Sequence, residues 1–202
     1  MKKLIPMLLI ALFAFHADSY AFLRLGIKAG ANFAKVSVSN SQNVSYQQLT
    51  GFTAGAQADI ALIPSMSIRT DVLYVQKGSK FTTPTTSDGK IKLDEFVVAP
   101  FLVMRFPLVK VIPFVQIGPE VGLNTLAKEE SGGNSANVGP HFKKSDFSLN
   151  LGAGIILPFG ANDLTLDGRY NLGLANINNV TGAPTTKMNG IQLFVGYNFF
   201  KI

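Results

Sequence analysis

Nucleophilic and acid–base catalysis needs a base placed against its partner, and histidine fills that role most often. Beyond residue 21 the chain offers one histidine, His141, with Ser145 and Asp146 a few positions on. It stands in a polar, glycine-rich stretch beside Lys143-Lys144, where no spacing fixes a base against a nucleophile, so a solvated loop histidine is the better reading. Glu129-Glu130 could attract a hard cation, yet they lack the ligand spacing of a calcium loop. Gly152-x-Gly154 has no strand–helix context and is no nucleotide fingerprint. Asn43-Val44-Ser45 and Asn179-Val180-Thr181 match the glycosylation sequon, a short motif that by itself assigns no chemistry. There is no cysteine, hence no thiolate metal site and no disulfide framework. These residues point to no catalytic constellation, metal or cofactor.

A second set of charges is more informative because its positions are periodic: Arg24, Lys28, Asp59, Arg69, Asp71, Lys77, Arg105, Glu120, Asp146, Asp167 and Arg169. Each falls on the polar parity of an alternating stretch. From Phe52 to Leu62 every second residue is apolar, and after Ile63-Pro64-Ser65 the alternation resumes through Met66, Ile68, Val72 and Tyr74. A period of two over so many residues means extended chain with one apolar and one polar face. Such strands reach the ~9–11 residues that cross a bilayer at a tilt.

The same pattern recurs at 23–33, 95–106, 113–124, 146–157, 164–174 and 191–199, giving eight strands. Strand four is ambiguous, since Val97, Ala99, Phe101 and Val103 make its second face apolar too, and Pro100 lacks a ladder donor and is expected at a bulge or irregularity. Long polar connections (Ser39–Gln48, Ser79–Lys90 with its Asp88-Gly89 turn signal, Lys128–Ser145, Ala175–Asn189) alternate with short ones. Long outer loops and short periplasmic turns are the pattern of outer-membrane barrels. The expectation is an all-β, eight-stranded antiparallel up-and-down transmembrane β-barrel, with aromatic girdle residues at Phe22, Phe33, Phe52, Tyr74, Phe106, Phe147 and Phe199. In the first hairpin a three-residue loop, Ile63-Pro64-Ser65, would pair Leu62 with Met66, Ile60 with Ile68, Asp59 with Arg69 and Gln57 with Asp71.

Residues 1–21 read as a signal peptide: Lys2-Lys3, the apolar segment Leu4–Phe15, and Ser19-Tyr20-Ala21 as a small-x-small cleavage site. The barrel domain is then 22–202. The formal charge of +6 is dispersed apart from Lys143-Lys144, which argues against nucleic acid as a partner and for scattered solvated lysines.

The chain resembles the PorT-like outer-membrane β-barrel family. The likeness is carried by Gly26-Ile27-Lys28-Ala29-Gly30-Ala31-Asn32-Phe33, Gly51-Phe52-Thr53-Ala54-Gly55, Leu73-Tyr74-Val75-Gln76-Lys77-Gly78 and Phe114-Val115-Gln116-Ile117-Gly118-Pro119. Leu151-Gly152-Ala153-Gly154, Arg169-Tyr170-Asn171-Leu172-Gly173-Leu174 and Gly196-Tyr197-Asn198-Phe199 continue it. The resemblance implies residence in the outer membrane of a Gram-negative bacterium and a link, in the founding member, to protein secretion. The expected partners are outer-membrane lipid and lipopolysaccharide, the barrel-assembly machinery, and an extracellular or secretion-system protein. The leading function is a non-enzymatic structural or surface-binding barrel acting through its long loops; the alternatives are a narrow porin-like channel for small solutes or ions, or an accessory component of a protein-secretion apparatus. The periodic charges would be a selectivity ladder in a channel. In a structural or binding barrel they would pack an interior that eight strands leave just wide enough to fill.

Overall fold

The computed structural model describes residues 22–38, 45–83, 86–106, 108, 110–131, 134–160, 162–180 and 184–202. The proposed signal peptide lies outside them. The strands are β1 (Phe22–Val38), β2 (Ser45–Ile63), β3 (Met66–Thr83), β4 (Thr86–Arg105), β5 (Ile112–Ser131), β6 (Asn134–Asn137), β7 (Ser145–Phe159), β8 (Asn162–Gly173) and β9 (Thr186–Lys201). Each pairs antiparallel with its neighbour, and the β1–β9 and β4–β5 pairings close a ring of eight. The short β6 stands outside the ring, folded back on the end of β5. Closure leaves no open edge in the wall, which is what a sheet in hydrocarbon requires.

Alternation decides which way each side chain points. Phe52, Ile60, Ile68, Val72, Val115, Ile117, Leu193 and Val195 are exposed on the outer wall, while Gln57, Asp59, Arg69, Asp71, Gln116 and Gln192 are buried inside it. At one end, the turn end, lie both chain ends of the described barrel and the short connections, the β7–β8 turn using Gly160 at φ 61°. The loop end is taller, because β1–β5 continue as polar ladder beyond the lengths expected from alternation. The stretches read as loops, Ser39–Gln48, Ser79–Lys90, Lys128–Ser145 and Ala175–Asn189, therefore hold much strand: Ser45–Gln48, Ser79–Thr83, Thr86–Lys90, Lys128–Ser131, β6 and Thr186–Asn189.

Two local expectations are corrected and one is narrowed. Asp88-Gly89 is no turn: it sits within β4, where Gly89 faces Phe81 and leaves room for that ring. Pro100 makes no bulge, but the β4–β5 pairing is interrupted around it, between Val98 and Leu102. The β4–β5 register is the same on either side of it (Val98↔Val121, Leu102↔Ile117), so Pro100 stands opposite Pro119, each strand lacking a donor at one rung. The backbone closes tightly there, since a Cβ on Gly118 would lie 1.9 Å from the Pro100 carbonyl oxygen. The β4–β5 register shift falls instead at Asp94/Glu95. In the β2–β3 hairpin, Ile60↔Ile68, Asp59↔Arg69 and Gln57↔Asp71 pair as expected, but Leu62 does not face Met66. Ile63 does, around a tight Pro64-Ser65 turn, and a register shift between Ala61 and Ile63 restores the parity.

Candidate functional site in the barrel lumen

The interior is built in layers, and each layer follows from which inward positions the register brings level. Nearest the turn end, Asp59 accepts from Arg69 Nε at 3.2 Å and from Arg105. Arg24 pairs with Asp163 at 3.2 Å, and Lys201 reaches the same carboxylate from the rim at 3.5 Å. The next layer is a four-membered knot: Asp71 holds Lys28 Nζ at 3.0 Å and Arg169 at 2.7 Å, and Asp167 holds the same two cations at 3.1 Å each. Gln116 links the two layers, accepting from Arg69 and donating to Asp167.

Aromatic rings complete that layer. The guanidinium of Arg169 lies 4.6 Å from the Phe101 centroid and 4.4 Å from that of Phe194, while Arg69 lies 4.7 Å from Phe114 and Lys28 Nζ 4.8 Å from Phe194. A desolvated cation over a ring face gains about 2 kcal/mol in favourable cases. These rings belong to an apolar flank with Leu73, Val75, Val97, Ala99, Val103 and Ile156. The flank is the reason strand four reads as apolar on both faces.

Above it, Lys77 Nζ sits among three carboxylates: Glu95 at 2.7 Å, Glu120 at 3.1 Å and Asp146 at 3.4 Å. Glu120 also accepts from Asn150 at 2.9 Å, Asn171 at 3.0 Å and Ser148 at 3.3 Å. The lumen then turns apolar. Ala34, Val36, Leu93, Ala127, Val138, Ile177 and Met188 form a second buried cluster at the loop end, flanked by Tyr46, Ile91 and Phe142. Ile177 is carried into it by the segment after β8, which is tied down by Lys143 N–H to the Ile177 carbonyl (2.8 Å) and Ile177 N–H to that of Thr186 (2.9 Å).

All eleven charged residues singled out by parity are therefore buried and paired. Two more belong with them. Glu95 had its inward parity legible, yet its strand offered two apolar faces. Asp163 falls between the alternating stretches 146–157 and 164–174, yet it is the second residue of β8. With both, six buried cations meet seven buried carboxylates among the described residues. Gly152 and Gly154 line this interior as spacers: a Cβ on Gly154 would lie 2.5 Å from the Phe114 ring and 2.8 Å from Asp167 Cβ. The residues first weighed for chemistry do not come together. His141 closes a 3-10 turn, Gly139–His141, while Asp146 turns inward to Lys77. Glu130 faces outward and pairs with Lys92 at 2.7 Å. No group of three or more His, Cys, Asp or Glu able to hold a metal occurs among the described residues.

Two comparisons with known proteins agree with this architecture. Among solved structures, Neisserial surface protein A superposes with a TM-score of 0.50 at 20% identity, covering 87% of this chain and 97% of that one. OprG, an outer-membrane protein of Pseudomonas aeruginosa, gives a TM-score of 0.51 at 10% identity, covering 90% and 94%. At these identities the likeness is one of fold. No match is found among curated protein sequences. The sequence profile of the outer membrane protein beta-barrel domain, however, matches residues 16–179, and the chain belongs to that family of Gram-negative outer-membrane barrels.

Proposed function

We propose that this is a non-enzymatic, non-conducting barrel whose role is structural or surface-binding and is exercised at its loop end, after export and removal of residues 1–21. The observation that carries the reading is the filled lumen. Paired charges occupy the interior from Asp163 to Lys77, and the apolar cluster around Ile177 covers them at the loop end. A hydrated path would have to cross both, and a dry apolar constriction resists wetting. On the resemblance of its ordered motifs to PorT-like proteins, the partner at the loop end would be a component of a secretion apparatus or an extracellular protein. The purified mature protein in a planar bilayer should show no steady single-channel current. A large, steady conductance would overturn the reading and favour the channel.

A further inference from the structure

Strand pairing gathers lysines that lie far apart in the sequence. On the outer face of the tall wall, Lys80 of β3 faces Lys90 of β4, and Lys92 of β4 faces Lys128 of β5. Like charges directly opposite in a ladder repel and destabilise the sheet. The acids on this face, Glu130 opposite Lys90 and Asp94 below Lys92, are outnumbered by the cations. Glu130 is bonded to Lys92 Nζ, and its carboxyl is held below the usual range first by that hydrogen bond and further by the charges of Lys92, Lys90 and Lys128. It is an acid encircled by ammonium groups, most of whose charge remains unmet.

The height of this patch matters as much as its charge. Directly below it runs the rung Tyr74–Phe96–Leu123, with Phe96 55% and Leu123 57% exposed on the lipid-facing wall. Lys92 is four residues beyond Phe96, about 13 Å along the strand and less in height because strands tilt. The ammonium groups thus stand where acyl chains give way to headgroups. Lys143 and Lys144 edge the neighbouring groove between β5 and the 3-10 turn. Outside the lumen, only Lys110 and Lys201 of the lysines beyond residue 21 lie at the turn end.

We propose that this face binds the phosphate groups of a phosphorylated glycolipid of the outer leaflet, Lys90, Lys92 and Lys128 contacting phosphate while Phe96 and Leu126 contact its acyl chains. A lysine ammonium is a point-charge phosphate ligand that needs no fixed fork geometry, which suits a mobile headgroup. The site stands whether or not the lumen conducts.

The test uses the mature barrel in zwitterionic detergent, titrated with bis-phosphorylated lipid A, with the same lipid stripped of phosphate, and with a soluble inositol polyphosphate. Bound lipid is counted by native mass spectrometry, and unfolding is followed by the heat-dependent gel shift. Each lysine near an anionic surface contributes about a fivefold affinity change. K90Q/K92Q/K128Q should therefore weaken phosphorylated-lipid binding by about a hundredfold. A K110Q/K201Q control at the turn end should not change it. The triple variant should unfold at a higher temperature than the parent in plain detergent, because repulsion is relieved, and at a lower one with the phosphorylated lipid. Equal lipid affinity in parent and triple variant would overturn the proposal. So would equal binding of the dephosphorylated lipid, or tighter binding of the soluble polyphosphate than of the lipid.

Discussion

Replacing Lys77 by methionine tests whether the lumen is a packed ionic core. The side chain keeps most of its length and loses its charge, leaving Glu95, Glu120 and Asp146 grouped around an apolar methyl. At an effective dielectric of about 20, each carboxylate at the observed 2.7–3.4 Å gains roughly 5–6 kcal/mol of Coulomb energy from the ammonium before desolvation is subtracted. Net values are smaller: removing one partner of a buried pair typically costs ~3–5 kcal/mol, because the survivor is left unpaired. Three survivors put K77M at the upper end, about 5 kcal/mol. The assay is equilibrium urea unfolding of refolded protein in detergent micelles, read by far-ultraviolet circular dichroism, since the chain has no tryptophan. The decisive arm is a suppressor. In the parent, E95Q removes a partner of Lys77 and should destabilise; in K77M it removes a repelling charge and should stabilise. If E95Q shifts both backgrounds the same way, or if K77M unfolds with the parent, the ionic-core account fails.

Three further outcomes follow from the same geometry. Because Asp59 is shared by Arg69 and Arg105, D59A should cost ~3–5 kcal/mol and R69A less, with D59A/R69A falling short of their sum by ~1–3 kcal/mol; additive unfolding energies would contradict the shared site. G154A should destabilise, because its Cβ meets the Phe114 ring at 2.5 Å, whereas outward Gly168 meets only a Leu193 methyl at 3.2 Å, so G168A should stay within about 0.5 kcal/mol of the parent in the same urea assay. A cysteine at Asn134, exposed in β6, should react with an impermeant reagent on intact cells and one at Ser65, in the β2–β3 turn, should not; the reverse pattern would invert the orientation.

The parity of each strand was legible because a period of two is a strong, local signal that puts Asp59, Arg69 and Asp167 on one face and Ile60 and Ile68 on the other, and the membrane reading makes the polar face the inward one. Strand ends were not legible. Above the lipid a wall no longer needs an apolar face, so Ser79–Thr83 and Thr86–Lys90 read as polar loop although they pair as strands. Glu95 was obscured for the converse reason, the inward face of its strand being largely apolar. A three-residue Ile63-Pro64-Ser65 loop keeps parity and the observed Pro64-Ser65 turn breaks it, and the shift at Ala61/Ile63 repairs that parity in a way no residue type announces. The lysine face lay beyond reach altogether. Positions 80, 90, 92 and 128 become neighbours only once two strand registers are known.

The division of cations between inside and outside has a physical logic. All four arginines of the chain, Arg24, Arg69, Arg105 and Arg169, are buried in the lumen, while the lysines beyond residue 21 lie outside it except Lys28 and Lys77. A guanidinium is weakly hydrated, stacks on rings and offers several donors in a plane; Arg169 shows all of this, lying against Phe101 and Phe194 while bonding Asp71 and Asp167. The two buried lysines are held by carboxylates from several strands. Lys28 is gripped by carboxylates from β3 and β8, and Lys77 by carboxylates from β4, β5 and β7, so the ligands converge on one point from several walls. A compact ammonium can donate in all those directions, where a planar fork would satisfy some and crowd the rest. Arg69 and Arg169 thus lie against the aromatic flank, Lys28 shares the Phe194 ring and two carboxylates with Arg169, and Lys77 stands where three carboxylates converge. That assignment leaves the strongly hydrated lysines to populate the outer face, where a mobile anionic headgroup can meet them.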